Sequence, residues 1–189
     1  MFATVLLCSC SRPSDVSHQF SFNPANKNKG AVIMSLSCQG LDPGTRNYLF
    51  YQDLDTSQIG RMFNAGVNSD VLFHCESAQP QYKILVLPAG HYAFTNLSFN
   101  RRVNSLLNVG FDVTAHKVTY IGRLHLIAAK PINPSTIMGS MLPAGTIRFR
   151  VTNNARQDFP YFKKHYPRLN ANDYRVRLGN VVINQKHTS

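Results

Sequence analysis

Four cysteines, nine carboxylates, seven histidines and a set of alternating arginines are the groups in this chain that could do chemistry. Cys8 and Cys10 stand one residue apart. Zinc ligands ordinarily come as Cys-x₂₋₄-Cys, with a second pair to complete the tetrahedron. Here the spacing is shorter and no second pair follows, because Cys38 and Cys75 stand alone. Each of those two ends an apolar, alternating segment. In an oxidising compartment they could form one disulfide that closes a long loop. As free thiols they would be expected in the core. Among the carboxylates, Asp53 and Asp55 occupy alternate positions and could share a strand face for acid–base work. A DLDT stretch leaving a strand reads more simply as a turn. His18, His74, His91, His116, His125, His165 and His187 show no metal-ligand spacing. His74 gains interest only if the fold brings Cys38 beside His74 and Cys75. No Gly-rich phosphate loop and no G-x-S-x-G elbow occurs. These patterns assign no catalytic residue, no metal and no cofactor, and the expectation is a protein without enzymatic activity.

The arginines form the more distinctive pattern. In RFRV and RVRL they alternate with apolar residues, which places Arg148 and Arg150 on one face of a strand and Arg175 and Arg177 on one face of another. If the two strands were neighbours, four guanidinium groups would form a patch suited to phosphate or carboxylate. Half-buried strands also look like this with no ligand at all. The whole chain carries 20 Lys+Arg against 9 Asp+Glu, a formal charge of +11, which favours anionic partners. A single-stranded nucleic-acid platform would want aromatic residues on the arginine face. Here the aromatics alternate to the opposite, core-facing side. A soluble, intracellular, basic β-domain binding nucleic acid is therefore the alternative reading, not the leading one.

The elements that must position these groups follow from a period of two. Apolar residues are 43% of the chain, enough for one globular body with a real core. Alternation runs through 30–37, 70–75 and 91–96, and again through 111–113, 118–126, 147–151 and 174–178, while 48–51 (YLFY) is aromatic-rich and strand-like and 82–87 (YKILVL) is nearly continuously apolar, as a strand buried in a sandwich core is. Pro88-Ala89-Gly90 reads as a turn in which Gly90 takes a positive φ. Gly122 interrupts its strand and reads as a bulge or a close backbone approach. Residues 101–108 have no clean period and read as a loop. Residues 158–166 (DFPYFKKHY) read as one short helix, with Asp158 as N-cap, Pro160 in the first turn and Phe159, Phe162 and Tyr166 on one face. Lys163, Lys164 and His165 suit its last turn, and Pro167 ends it. Short strands with turns between them predict an antiparallel β-sandwich or barrel. No apolar stretch approaches the roughly 20 residues of a helical membrane span.

Two resemblances add to this. Leu7-Cys8-Ser9-Cys10, followed by the polar, Pro-containing stretch 11–17, resembles a bacterial lipobox, in which the last Cys becomes a lipidated N-terminus. The apolar run Phe2–Leu7 is short and lacks a basic region before it. An additional start upstream of Met1 would complete such a signal. Leu87–Phe94 (LPAGHYAF) resembles the proline turn of transthyretin-like and carboxypeptidase-regulatory-like β-sandwich domains. Phe111–Gly122 is similar to a strand segment of uncharacterised bacterial lipoproteins, except that Ala115-His116 stands where that pattern carries a Gly. These likenesses imply a transthyretin-like sandwich, a lipid anchor on Cys10, and a non-enzymatic role in the cell envelope. The implied partners are the membrane and an envelope protein or anionic polymer. Ser11 after the lipidated Cys implies the outer membrane, facing the periplasm. The expected layout is a signal-like segment over 1–10, a flexible tether over 11–29 and a single β-sandwich domain over 30–189.

Overall fold

The alternating segments become strands, as their β-branched and aromatic content favours. The computed structural model describes residues 21–22, 27–41, 46–55, 70–75, 79–99, 103–132, 142, 146–169 and 174–181. The strands are β1 (Lys29–Leu41), β2 (Arg46–Asp53), β3 (Asp70–His74), β4 (Gln81–Pro88), β5 (Gly90–Phe99), β6 (Val103–Val113), β7 (Val118–Ile132), β8 (Ile147–Thr152), β9 (Tyr174–Val176) and β10 (Asn180–Val181). One helix, α1 (Ala155–His165), lies between β8 and β9. Sheet A runs β4-β1-β7-β8, with β9 also on β7, and sheet B runs β10-β6-β5-β2-β3. The chain is mainly β, with two sheets in a sandwich-like arrangement.

The strands are not uniformly antiparallel. β1 and β9 both run parallel to β7, while the other described pairings are antiparallel. Period-two patterning fixes which face a residue occupies but carries no information on strand direction. The β1–β7 pair is formed by segments far apart in the chain, so no local turn specifies it.

Two apolar clusters follow from the alternation. One face of β1 (Val32, Met34, Leu36) and of β7 (Ile121, Leu124, Leu126) packs against sheet B residues Leu49, Phe73, Phe94, Leu97, Val109 and Phe111. The opposite face of sheet A (Ala31, Ile33, Ile84, Val118, Tyr120) packs against Phe162 and Leu169. The layers are therefore sheet B, sheet A and α1. Phe22, within the expected tether, packs on the second cluster, with its ring centroid 6.0 Å from that of His116.

Three local expectations change. β6 begins at Val103, so 103–108 is strand and not loop. Its period is masked because a buried position holds Ser105 and an outward one holds Leu106, which is 74% exposed. Pairing with β5 from Val103 to Val113 overrides that weak local signal. Gly90 does not take a positive φ. A Cβ there would lie 2.8 Å from Asp55 Oδ2, so the requirement is close approach of a carboxylate. The helix starts at Ala155, not Asp158, which moves Pro160 from the first turn into the interior. Pro160 leaves the Arg156 carbonyl without its helical N–H partner. Both residues are exposed, so water can serve that carbonyl.

Candidate functional site

The outer face of sheet A gathers a connected set of polar groups. β1 presents Ser35 and Ser37 there, β7 presents Arg123 and His125, and β8 presents Arg148, Arg150 and Thr152. The registers align these as rows: Ser35–Arg123–Thr152, then Ser37–His125–Arg150. Tyr120 belongs to the same face even though it lies an odd number of residues from Arg123. A bulge makes this possible. The β1–β7 register slips between Ile33 and Ser35, opposite Tyr120 and Arg123. Gly122 sits in the slip with φ +105, a conformation that glycine adopts without steric cost. Without the extra residue, Tyr120 and Arg123 would point to opposite faces.

Both side chains converge on Asp158, which reaches down from α1 and is fully buried. Tyr120 donates its hydroxyl to Asp158 Oδ2 at 2.6 Å, and Ser35 donates to the same oxygen at 2.5 Å. Arg123 donates to Asp158 Oδ1 through one terminal nitrogen. Its Nε donates to Ser35 Oγ at 3.0 Å. Asp158 is thus no N-cap. It is a carboxylate clamped between helix and sheet, and Asn154 takes the N-cap position without a side-chain capping bond. Desolvation raises the Tyr120 pKa strongly, and the adjacent Asp158 carboxylate adds to that, so the phenol stays protonated.

A second strand of hydrogen bonds leaves Tyr120. Asn154 N–H donates to the Tyr120 hydroxyl at 3.3 Å, and Thr152 donates to Asn154 Oδ1 at 2.6 Å. Thr152 has one proton, so its Oγ1 must accept from His125 Nε2, 2.8 Å away. That sets the tautomer: in the neutral ring Nδ1 is bare and accepts the Ser37 hydroxyl proton at 2.7 Å. Burial lowers the His125 pKa, and Arg123 and Arg150 lower it further against an opposing pull from Asp158. The ring is held neutral. Ser37 and His125 form a hydroxyl–imidazole pair of the kind that activates a nucleophile. Behind the imidazole stands Thr152, a neutral group that cannot stabilise an imidazolium as a carboxylate does.

The four predicted arginines do not form one patch. β8 and β9 are not paired with each other. Both lie along the same edge of β7, β8 against Arg123–Ala128 and β9 against Val118–Tyr120. Arg148 and Arg150 alternate with the inward Ile147, Phe149 and Val151, so they face outward beside α1. Arg175 alternates with Tyr174, which packs in the α1-side cluster, and so takes the other face. Arg177 lies just beyond the strand and reaches Asp112 on β6 at 3.5 Å. The sequence pattern gave the face within each strand, but strand placement is a tertiary property.

Cys38 and Cys75 are joined by a disulfide with Cα atoms 5.3 Å apart. It ties β1 of sheet A to the end of β3 in sheet B, within the inter-sheet core. Asn47 Nδ2 lies 3.2 Å from Cys75 Sγ. His74 takes no part in the bond: its backbone N–H donates to Gln81 Oε1 at 3.1 Å. No group of three or more His, Cys, Asp or Glu residues suited to a metal occurs among the described residues. Cys10 lies outside the described residues.

Asp53 and Asp55 form the expected turn, with the Asp55 N–H on Asp53 Oδ1 at 2.9 Å. The sequence did not reveal what Asp55 does next. Its Oδ2 accepts the His91 backbone N–H at 2.9 Å, and its Oδ1 pairs with His91 Nδ1 at 2.8 Å. Asp112 stands 3.9 Å from the other ring nitrogen. The backbone N–H and then the side chain of His91 lower the Asp55 pKa, and the Asp55 hydrogen bond raises that of His91. The cluster is exposed and latches the end of β2 onto β5. Partners from separate strands, as here and at Asp158, leave no spacing signal in a sequence. A lone Asp inside an aromatic helix was the one available clue. No protein-family model, curated protein or solved structure matches this chain, so its sites are read from their own geometry.

Proposed function

We propose that the protein is an exported, lipid-anchored module of the bacterial cell envelope that binds or supports another envelope component without catalysing a reaction. The observation that carries this reading is the Cys38–Cys75 disulfide between the two sheets. Cytosolic thiols are kept reduced, so a core disulfide suits an exported chain better than an intracellular nucleic-acid binder. The lipobox-like Leu7–Cys10 and the polar stretch after it supply the anchor, and Ser11 favours the outer membrane. The reactive groups that the fold gathers bind one another. Asp158 holds α1 to sheet A, and His125 joins Ser37 to Thr152. These contacts support a scaffold role for the polar network.

Fractionation of cells expressing the natural locus tests both halves. The expected result is a membrane-bound chain with Cys38 and Cys75 protected from alkylation until reduced, and release of Cys10→Ala into the soluble fraction. Retention of Cys10→Ala in the membrane would overturn the anchor. Recovery of Cys38 and Cys75 as free thiols would overturn export.

A further inference from the structure

Among the described residues, exposed cations gather on one layer. α1 turns Asp158 and Phe162 inward and leaves Arg156, Lys163 and Lys164 exposed on its outer side. Beside it, β8 exposes Arg148 and Arg150, and Arg168 is exposed just past the helix. None of these six makes an ion pair among the described residues, and the segment from 146 to 169 contains one acid, the buried Asp158. That acid is already matched by Arg123. Asp53, Asp55 and Asp112 belong to sheet B or its margin, on the far side of the molecule. One outer layer is therefore cationic, and among the described residues its charges have no acidic partner.

The one described N-terminal side chain with a packing contact, Phe22, meets this same layer. Phe22 packs on the cluster between sheet A and α1, not on sheet B. The eleven residues from Ser11 to Ser21 can extend at most roughly 40 Å at about 3.5 Å each. A lipid on Cys10 would hold the domain within roughly 40 Å of the membrane surface, with Phe22 seated on the α1 side.

We propose that the outer layer formed by α1 and β8 is a membrane-docking face that meets the phosphates of anionic phospholipid head groups. The proposal rests on the lipid-anchored reading for its biological setting, but its physics does not need the lipid. Guanidinium groups pair with phosphate oxygens bidentately and ammonium groups as point charges. An exposed, unpaired, multi-cation face gains from the negative surface potential of anionic lipids, and loses that gain as salt screens it.

The test uses the full chain carrying Cys10→Ala, so that no lipid is attached, and vesicles of phosphatidylglycerol mixed with phosphatidylcholine. Co-sedimentation is expected with the mixed vesicles at low salt, absent with pure phosphatidylcholine, and weakened steeply by added salt. Arg148→Gln, Arg150→Gln and Lys163→Gln combined should weaken binding about 100-fold, at roughly fivefold per cation. Arg175→Gln with Arg177→Gln, on another face, should leave it within a few-fold. Thermal melts identify any variant that fails to fold, and Lys164→Gln with Arg168→Gln then replaces it. No binding to the mixed vesicles at low salt overturns the docking face, while the anchor still stands or falls by fractionation. A greater loss from the Arg175 and Arg177 pair would also overturn it. So would equal or tighter binding to duplex DNA that responds to the same three substitutions, which would mark the face as a nucleic-acid surface.

Discussion

Removing the Cys38–Cys75 bond should destabilise the protein by an amount set by the loop it closes. The two residues are 37 apart in sequence. In the chain-entropy account the cross-link removes about 13 cal/mol/K from the unfolded ensemble for a loop of that size, or about 3.8 kcal/mol at 25 °C. For a chain of 189 residues this corresponds to a fall in Tm of about 8–15 °C. With a urea slope near ~2 kcal/mol/M, the midpoint should drop by about 2 M. The assay is urea unfolding of the oxidised protein against the protein unfolded in reductant, and against Cys38→Ala, Cys75→Ala and the double variant. One bond joins the two positions, so the double variant should lose little more than either single one. Cys75 is buried and Cys38 partly so, and the small cavities left by alanine should add about 1 kcal/mol or less in excess of reduction alone. Equal midpoints with and without reductant would refute the reasoning. Additive losses from the two single variants would show that packing, not the cross-link, carries the effect.

Asp158→Asn keeps the shape of the clamp but leaves the largely buried Arg123 without its counter-charge, and should destabilise by about 3–5 kcal/mol in denaturant titration. Gly122→Ala forces an alanine into a positive φ, with its Cβ 2.7 Å from Val151 Cγ1 and 3.0 Å from the Thr152 carbonyl oxygen; the expected loss is about 1–3 kcal/mol, with the Tyr120 and Arg123 contacts to Asp158 disturbed in the same variant. The two structural histidines should titrate in opposite senses, as NMR of their ring protons would read. His91 is raised from 6.5 chiefly by its Asp55 hydrogen bond, so its contribution to stability is complete below 6.5 and disappears as pH rises through the folded value; Asp55→Asn should bring it down. His125 is lowered from 6.5, first by burial and then by Arg123 and Arg150, so its contribution is present above 6.5 and is lost as pH falls toward the folded value; Arg150→Gln should raise it.

Some of this protein was legible in its residues alone. Alternation in β1, β7 and β8 gave the strands and assigned each side chain to a face, because a strand's side-chain period is fixed at two, and the continuous apolar run gave β4. Gly122 announced the bulge, since a lone glycine in an apolar strand has few other uses. The phenylalanine spacing gave a helix, though its start was misplaced. Asp158 looks like an N-cap in one dimension, and only the arrival of Arg123, Tyr120 and Ser35 beneath it makes burial of that carboxylate tolerable.

What the tertiary structure alone decided is which strands are neighbours and which way they run. The parallel β1–β7 pairing, the disulfide between the sheets, and the separation of Arg148 and Arg150 from Arg175 and Arg177 all depend on contacts between distant segments. Local propensity has no term for such contacts, and residue type records a face but not a partner. The same holds for His91 with Asp55 and for His125 with Ser37 and Thr152, whose members come from different strands. Sequence determined the two-sided strands and the excess of positive charge. The order of strands in the sheets determined where the described part of that charge gathers, on the outer layer of α1 and β8.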